Sequence, residues 1–317
     1  MEITSSVEYD ISATPTLNVC NLHPEKLNKK IYKDFYDDLN KNRKKDMTIF
    51  LHNLETVKLK RVPESHGITY STAAQYNIDE NIIEILKIDK FYDSIDHELL
   101  HLASCIVDKN GNIFSGFSQR RGDALVGLGL DEGYTALLDD RYFLHRTERK
   151  EKNNHLIYPF VKTLARRVEE FIGTEEMEDF YFTADLLSIV KKLSYYTSLD
   201  ETIEFLKNMD YILLNYEQAQ FSNIFLVFKK YSECMLFIVE AWVYRIAEGY
   251  INGQMNNKEY LNFLKMARHI LSYRISIGLL KPINIDKYFP KIEKKVAKKL
   301  ELKYRGEIKK IQLVDVV

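Results

Sequence analysis

Cysteine is scarce in this chain: Cys20, Cys105 and Cys234 stand far apart among 317 residues. An odd number at such spacing builds neither a disulfide framework nor a cysteine-rich zinc site. Long apolar runs are missing as well. No stretch approaches the roughly 18 residues that a membrane-spanning helix needs, so no membrane span is expected. The opening segment "MEITSSVEYDISATPT" lacks both a positively charged start and an apolar centre, and does not read as a signal peptide. Nor is there an excess of either charge. The net charge of −1 argues neither for nor against nucleic acid, and there is a single Trp. The expectation is a reduced, cytoplasmic, soluble protein. Export by a route without a classical signal is left open, and so is the oligomeric state.

What is present is ordinary globular material, 45% hydrophobic and 29% charged, enough to bury a sizeable core. Residues 1–20 read as irregular. "HPEKLNKKIYKDFYDDLNKN" reads as a helix, with Leu27, Ile31, Phe35 and Leu39 recurring every four residues. "MTIFLHNLETVKLKRVP" reads as strands closed by Pro63. Two extended pieces follow, joined by a turn near Asn77-Ile78-Asp79. A helix from about Ser94 to Val107 comes next, then the glycine-rich "NIFSGFSQRRGDALVGLGL", a hairpin or irregular loop, then a helix opening near Asp131. The charged stretch 147–154 suggests a boundary, and almost everything beyond it has helical period. The expected fold class is α+β. A first half with a small mixed sheet (1–146) precedes a mostly α-helical second half (147–317).

The chemistry concentrates in "DHELLHLAS". His97 and His101 are four residues apart, so on a helix they share a face and can aim both imidazoles at one point, within reach of Zn–N bonds of about 2.0–2.1 Å. Glu98 lies one residue round, placed to reach a water rather than the ion. The pattern is that of a hydrolytic zinc helix. The bland alternative is a pair of surface histidines, but Leu99, Leu100 and Leu102 make the helix largely buried, and a buried polar pair needs partners. A third histidine in the H-E-x-x-H-x-x-G-x-x-H register is excluded, because Ser104 and Val107 hold the positions that need Gly and His. A carboxylate from a later helix is the remaining source. Glu132 in "GLGLDEGYTALL" offers one, and 30 residues separate it from His101. Glu132 also reads as a plain first-turn glutamate favoured by the helix dipole. Asp131 is a rival ligand or an acceptor for a ligand histidine's N–H, and Asp123 and Asp139 are weaker rivals.

H-E-L-L-H followed by L-D-E-G-Y-T-A-L-L resembles the gluzincin zinc peptidases, in which an N/D-E-G-x-[AT]-like segment brings the third ligand. More narrowly it resembles bacterial HExxH proteins with an N-E-G-like segment and a helical tail. The likeness covers roughly residues 66–145 and is specific at His97, Glu98, His101, Glu132 and Gly133. It implies a zincin-like first half, one Zn²⁺ per chain on His97, His101 and Glu132, and Glu98 as general base in the hydrolysis of a peptide or protein substrate. It also implies that "NIIEI" is the edge strand that binds substrate backbone. Related enzymes use a Tyr, His or Arg to stabilise the oxyanion. Tyr134, Arg141, Tyr142 and His145 are candidates here, and helical period favours Tyr142 on the Glu132 face.

Other features read as structural. His52, His66, His145, His155 and His269 are scattered, and Gly127-Leu128-Gly129 lacks the context of a phosphate loop. The basic segment Lys281–Lys310 sets Ile292, Val296 and Leu300 along one face, as in a solvated amphipathic helix; a nucleic-acid or acidic-membrane patch is the less favoured reading. Two alternatives to a peptidase stand beside it: a regulatory protein on a zincin-like scaffold that binds a partner or signal, and a helical interaction protein with a fortuitous HExxH.

Overall fold

The computed structural model describes residues 25–42, 44–62, 74–86, 95–143, 158–216, 221–272 and 285–304. The chain is mixed α+β, with two small sheets and a helical C-terminal half. It divides into two compact units, Met1–Ile189 and Val190–Val317.

In the first unit, α1 (Lys30–Tyr36) and a wider turn through Asn42 bury Tyr32, Phe35 and Leu39. The expected strand at "MTIFLHNLE" is instead α2 (Thr48–Thr56), and only β1 (Lys58–Val62) is extended. The reason is burial: Ile49, Phe50 and Leu54 lie on one helical face and are at most 8% exposed, which outweighs the β-branched bias of Thr48 and Ile49. β2 (Ala74–Asn77) and β3 (Ile82–Leu86) form the expected hairpin. Its turn ends at Asn81 with φ +49, a conformation asparagine tolerates. The Asn81 amide then donates to the Asn53 carbonyl and to Thr56 Oγ1, tying the hairpin to α2. β1 pairs with β3 in parallel, giving the order β1-β3-β2.

The next helix, α3 (Ile95–Ser104), stops three residues short of the expected Val107. Ser104 Oγ donates to the Leu100 and His101 carbonyls, competing with the helix ladder. Asn53 Nδ2 donates to the Leu102 and Cys105 carbonyls, so α2 satisfies the helix end. The chain passes directly into β4 (Cys105–Val107), the first strand of an antiparallel meander with β5 (Ile113–Ser115), β6 (Ser118–Arg121) and β7 (Ala124–Val126). The glycine-rich stretch is thus mostly sheet. The expected Ser94 cap lies outside the described residues.

α4 (Leu128–Phe143) begins after Gly127, whose φ is +83 and whose hypothetical Cβ would overlap the Phe117 carbonyl. α5 (Pro159–Ile172) packs on it, and α6 (Thr174–Phe182) meets it through Tyr181 against Tyr134. At Gly133 a Cβ would meet Val161 O at 2.5 Å and Val161 C at 2.6 Å, so only glycine lets the two helix backbones approach this closely. Further along α4, Arg141 forms ion pairs with Glu169 and Glu178. Lys45 and the Tyr142 hydroxyl also bond Glu178, and Tyr134 donates to Glu169. This network binds α4 to α5 and α6, so both belong to the first unit. The expected boundary at 146/147 lies outside the described residues, and the units divide instead within α7 (Leu186–Tyr196).

In the second unit α8 (Leu199–Tyr216), α10 (Asn257–Ser272) and α11 (Ile285–Tyr304) pack on the 31-residue α9 (Phe221–Ile251). Val239, Val243 and Ala247 of α9 meet Ile292, Val296 and Leu300 of α11, the apolar stripe expected there. Lys295 and Lys299 pair with Glu201 and Glu240, and Lys303 pairs with Glu248. Among the described residues no helix is long and apolar enough to cross a membrane.

Removing one member of a buried ion network strands its partners. Glu178→Ala, which takes a shared buried partner from Lys45, Arg141 and Tyr142 at once, is expected to cost about 3–5 kcal/mol in urea denaturation. The exposed pair Lys41–Asp37 serves as the comparison, and Lys41→Ala should cost well under about 1 kcal/mol.

Candidate metal centre

α3 carries His97 and His101 one turn apart, with Leu99, Leu100, Leu102 and Ala103 fully buried and anchoring the helix. The two Nε2 atoms stand 3.3 Å apart. α4 brings Glu132 against them. Its Oε2 lies 3.2 Å from His97 Nε2, and its Oε1 lies 3.6 Å from His101 Nε2. One ligand atom from each residue falls within 4.8 Å of the other two. Ligands about 2.0–2.1 Å from a tetrahedral zinc are separated by about 3.3–3.4 Å, so this donor set fits that ion. His₂Glu is also a chemistry that zinc accepts, with a fourth position left for water. Glu132 follows the first turn of α4 and faces the imidazoles, rather than serving as an exposed dipole partner.

Asp131 stands behind His101 and lies outside the three-residue group. Its Oδ2 lies 3.3 Å from His101 Nδ1, while Oδ1 accepts the Phe117 N–H at 3.0 Å. An Nδ1–H donated to Asp131 leaves Nε2 as the coordinating nitrogen. The β5–β6 turn makes this seat. Gly116 has φ +50, and a Cβ there would overlap both Asp131 Oδ1 and the Tyr181 ring. A hairpin or loop is expected over this stretch, but not its role as the seat of Asp131; the glycine between aromatics in "IFSGFS" is the signal.

The carboxylates dominate the electrostatics of the group. Burial lowers the His101 pKa, but Glu132 and Asp131 outweigh it and hold the imidazole well above its usual value. His97 is likewise raised, the Glu132 contact overcoming desolvation. Burial pushes Glu132 upward, yet the two imidazoles keep its pKa well below the ordinary carboxylate range. Imidazoles raised in this way hold their protons more tightly than free ones. Those protons compete with a metal.

Glu98 is 8% exposed and lies outside the three-residue group. Its Oε2 accepts the Tyr76 N–H at 2.7 Å. Burial raises its pKa, partly offset by the neighbouring His97 and His101 charges. A carboxylate so raised is better matched to proton transfer near neutral pH. The strand beside it differs from expectation. "NIIEI" forms β3, hydrogen-bonded to β1 on one side and β2 on the other, so its backbone is already used. β1 and β2 are the edge strands, and β2 is the one whose Tyr76 amide reaches Glu98.

Tyr142 does not join the centre. A helix rises about 1.5 Å per residue, which puts Tyr142 about 15 Å along α4 from Glu132. Tyr142 is 5% exposed, and its hydroxyl is bonded to Glu178. Tyr134 and Arg141 are held in the same network, and His145 lies outside the described residues. Asp123 and Asp139 are also outside the ligand group. A tyrosine not singled out in the sequence stands closer. Tyr158, just before Pro159 of α5, has its ring centroid 6.2 Å from that of His97. Its backbone is left-handed at φ +52, an uncommon conformation for a non-glycine residue. The close approach at Gly133 sets α5 where its first residues face α3.

No protein-family model, curated protein or solved structure matches this chain.

Two outcomes follow from the Asp131 seat and the raised histidines. Asp131→Ala is expected to weaken zinc binding by about 10–100-fold in competition with a chromogenic chelator. Zinc affinity should rise with pH. The raised histidine pKa values stabilise the metal-free fold below the ordinary histidine value, and that contribution is lost as pH climbs through them. Calorimetry in buffers of different ionisation enthalpy should register proton release on binding. Affinity independent of pH between 5.5 and 8 would contradict the arrangement.

Proposed function

We propose that this chain is a zinc-dependent peptidase of gluzincin-like type, hydrolysing a peptide or protein substrate. The observation that carries the reading is the convergence of His97, His101 and Glu132 into a tetrahedral-edge triangle, with Glu98 buried beside it but outside it. A structural metal site has no need of such a base. His97 and His101 would hold the ion from α3 and Glu132 from α4. Zinc, when bound, supplies a Lewis acid that polarises the scissile carbonyl and lowers the pKa of water.

The chain's own groups account for the rest. Glu98 takes the proton of the attacking water at a carboxylate oxygen and passes it to the departing amine nitrogen. The Tyr76 N–H fixes that carboxylate's orientation. β2 offers an edge along which an extended substrate backbone can lie. Tyr158 is the candidate to donate a hydrogen bond to the oxyanion, in place of Tyr142. The proposed setting is the cytoplasm, where the buried thiols of Cys105 and Cys234 stay reduced.

Glu98→Gln provides the test. It should keep zinc while losing about 10²–10⁴-fold in the cleavage of a quenched-fluorescent peptide library. Tyr158→Phe should lower kcat by about 10²–10³-fold with KM little changed. Retained cleavage in Glu98→Gln would overturn the peptidase reading.

A further inference from the structure

Tyr181 of α6 is fully buried, and it reaches the metal centre from a helix that carries none of the three ligand candidates. Its hydroxyl lies 2.8 Å from Thr135 Oγ1. Thr135 Oγ1 in turn donates to the Asp131 carbonyl oxygen at 2.8 Å. A threonine hydroxyl has one proton, so once that proton is given to Asp131 its oxygen accepts, and Tyr181 is the donor. Burial raises the Tyr181 pKa well above its usual value, so the phenol keeps the proton this bond needs. Ser104, the last residue of α3, contacts the same hydroxyl. One oxygen of α6 thus joins the end of the helix that holds His101 to the turn that holds Asp131 and Glu132.

The Tyr181 ring has a second task. It lies edge-on to Phe117, with centroids 5.5 Å apart, and a Cβ on Gly116 would come within 2.5 Å of it. The ring therefore backs the Gly116–Phe117 turn, whose Phe117 N–H binds Asp131 Oδ1. Helical threonines commonly bond the carbonyl four residues back, so the Thr135 bond alone points to no role. What points to the centre is that a single side chain sets both the backbone of Asp131, through Thr135, and the amide that orients the Asp131 carboxylate. Asp131 Oδ2 lies 3.3 Å from His101 Nδ1, so a displacement of either is passed to the imidazole.

We propose that Tyr181 is a positioning residue of the centre, fixing Asp131 from two sides and through it the orientation of His101. The proposal rests on the reading of His97, His101 and Glu132 as a metal site.

The test measures the zinc affinity of the full chain by competition with a chromogenic chelator. Tyr181→Phe removes only the hydroxyl and is expected to weaken zinc binding about tenfold. Thr135→Val, of similar shape, breaks the same link and should match it, while Thr135→Ser should restore wild-type affinity; this pair covers the case in which Tyr181→Phe fails to fold. Tyr134→Phe is the control. Tyr134 is equally buried, but its hydroxyl is bonded to Glu169, and zinc affinity should change by less than about twofold. Because Tyr181 acts through Asp131, adding Tyr181→Phe to Asp131→Ala should cause no further loss, whereas independent effects add. A second readout needs no zinc. The His101 Nδ1–H proton resonance of the metal-free chain should shift in Tyr181→Phe and stay in place in Tyr134→Phe. A wild-type chain that takes up no zinc would sink the metal reading, and this resonance then decides the positioning by itself. Wild-type affinity in both Tyr181→Phe and Thr135→Val, an equal loss in Tyr134→Phe, additive losses in the double variant, or an unmoved His101 resonance would overturn the proposal.

Discussion

Five ionisable side chains are drawn out of water between α3 and α4, and the first unit is organised around neutralising them. His97, Glu98, His101, Asp131 and Glu132 all lie at the contact of two helices, and none is more than 20% exposed. Burial of a lone charge costs several kcal/mol, so each must meet a partner. The two imidazoles meet Glu132, His101 also meets Asp131, and Asp131 and Glu98 each accept a backbone N–H, from Phe117 and Tyr76. Those two amides come from the two different sheets. Each sheet therefore has a task at the centre: one holds the carboxylate behind His101, the other holds Glu98.

The constraint extends along α4. One end of the helix presents Asp131 and Glu132, and the other end is held by Arg141, Glu169, Glu178 and Lys45. Between them, Gly133 lets α5 come close enough to set its backbone against α4. The glycine of the D-E-G segment thus serves helix–helix approach rather than a turn. It also brings Tyr158 toward His97, which connects the packing of three helices to the composition of the site.

Some of this was legible from residue spacing. The four-residue step from His97 to His101 and the leucines between them determine a buried helix with both imidazoles on one face, and the structure has it. Glu132 could be named because the D-E-G segment after the two histidines resembles the third-ligand segment of gluzincins, with Asp131, Asp123 and Asp139 as rivals. Asp131 was recognised only as one of two roles, since the choice depends on where the Gly116–Phe117 turn lies. Tyr142 was misplaced because helical period tells which face a residue occupies but not how far along the axis the site extends. Tyr158 was invisible for a different reason: its position depends on where α5 returns, a long-range contact through Gly133 that no local pattern encodes. The β-branched Thr48 and Ile49 favour a strand at "MTIFLHNLE", whereas the burial of Ile49, Phe50 and Leu54 together decides for helix.

The most direct test of the account is the metal content of the purified, untagged chain, by elemental analysis of wild type and Glu132→Ala side by side. The geometry of His97, His101 and Glu132 calls for about one zinc per wild-type chain and a much reduced content in the variant. A wild-type chain that takes up no zinc after reconstitution, or a variant that retains it in full, would contradict the account.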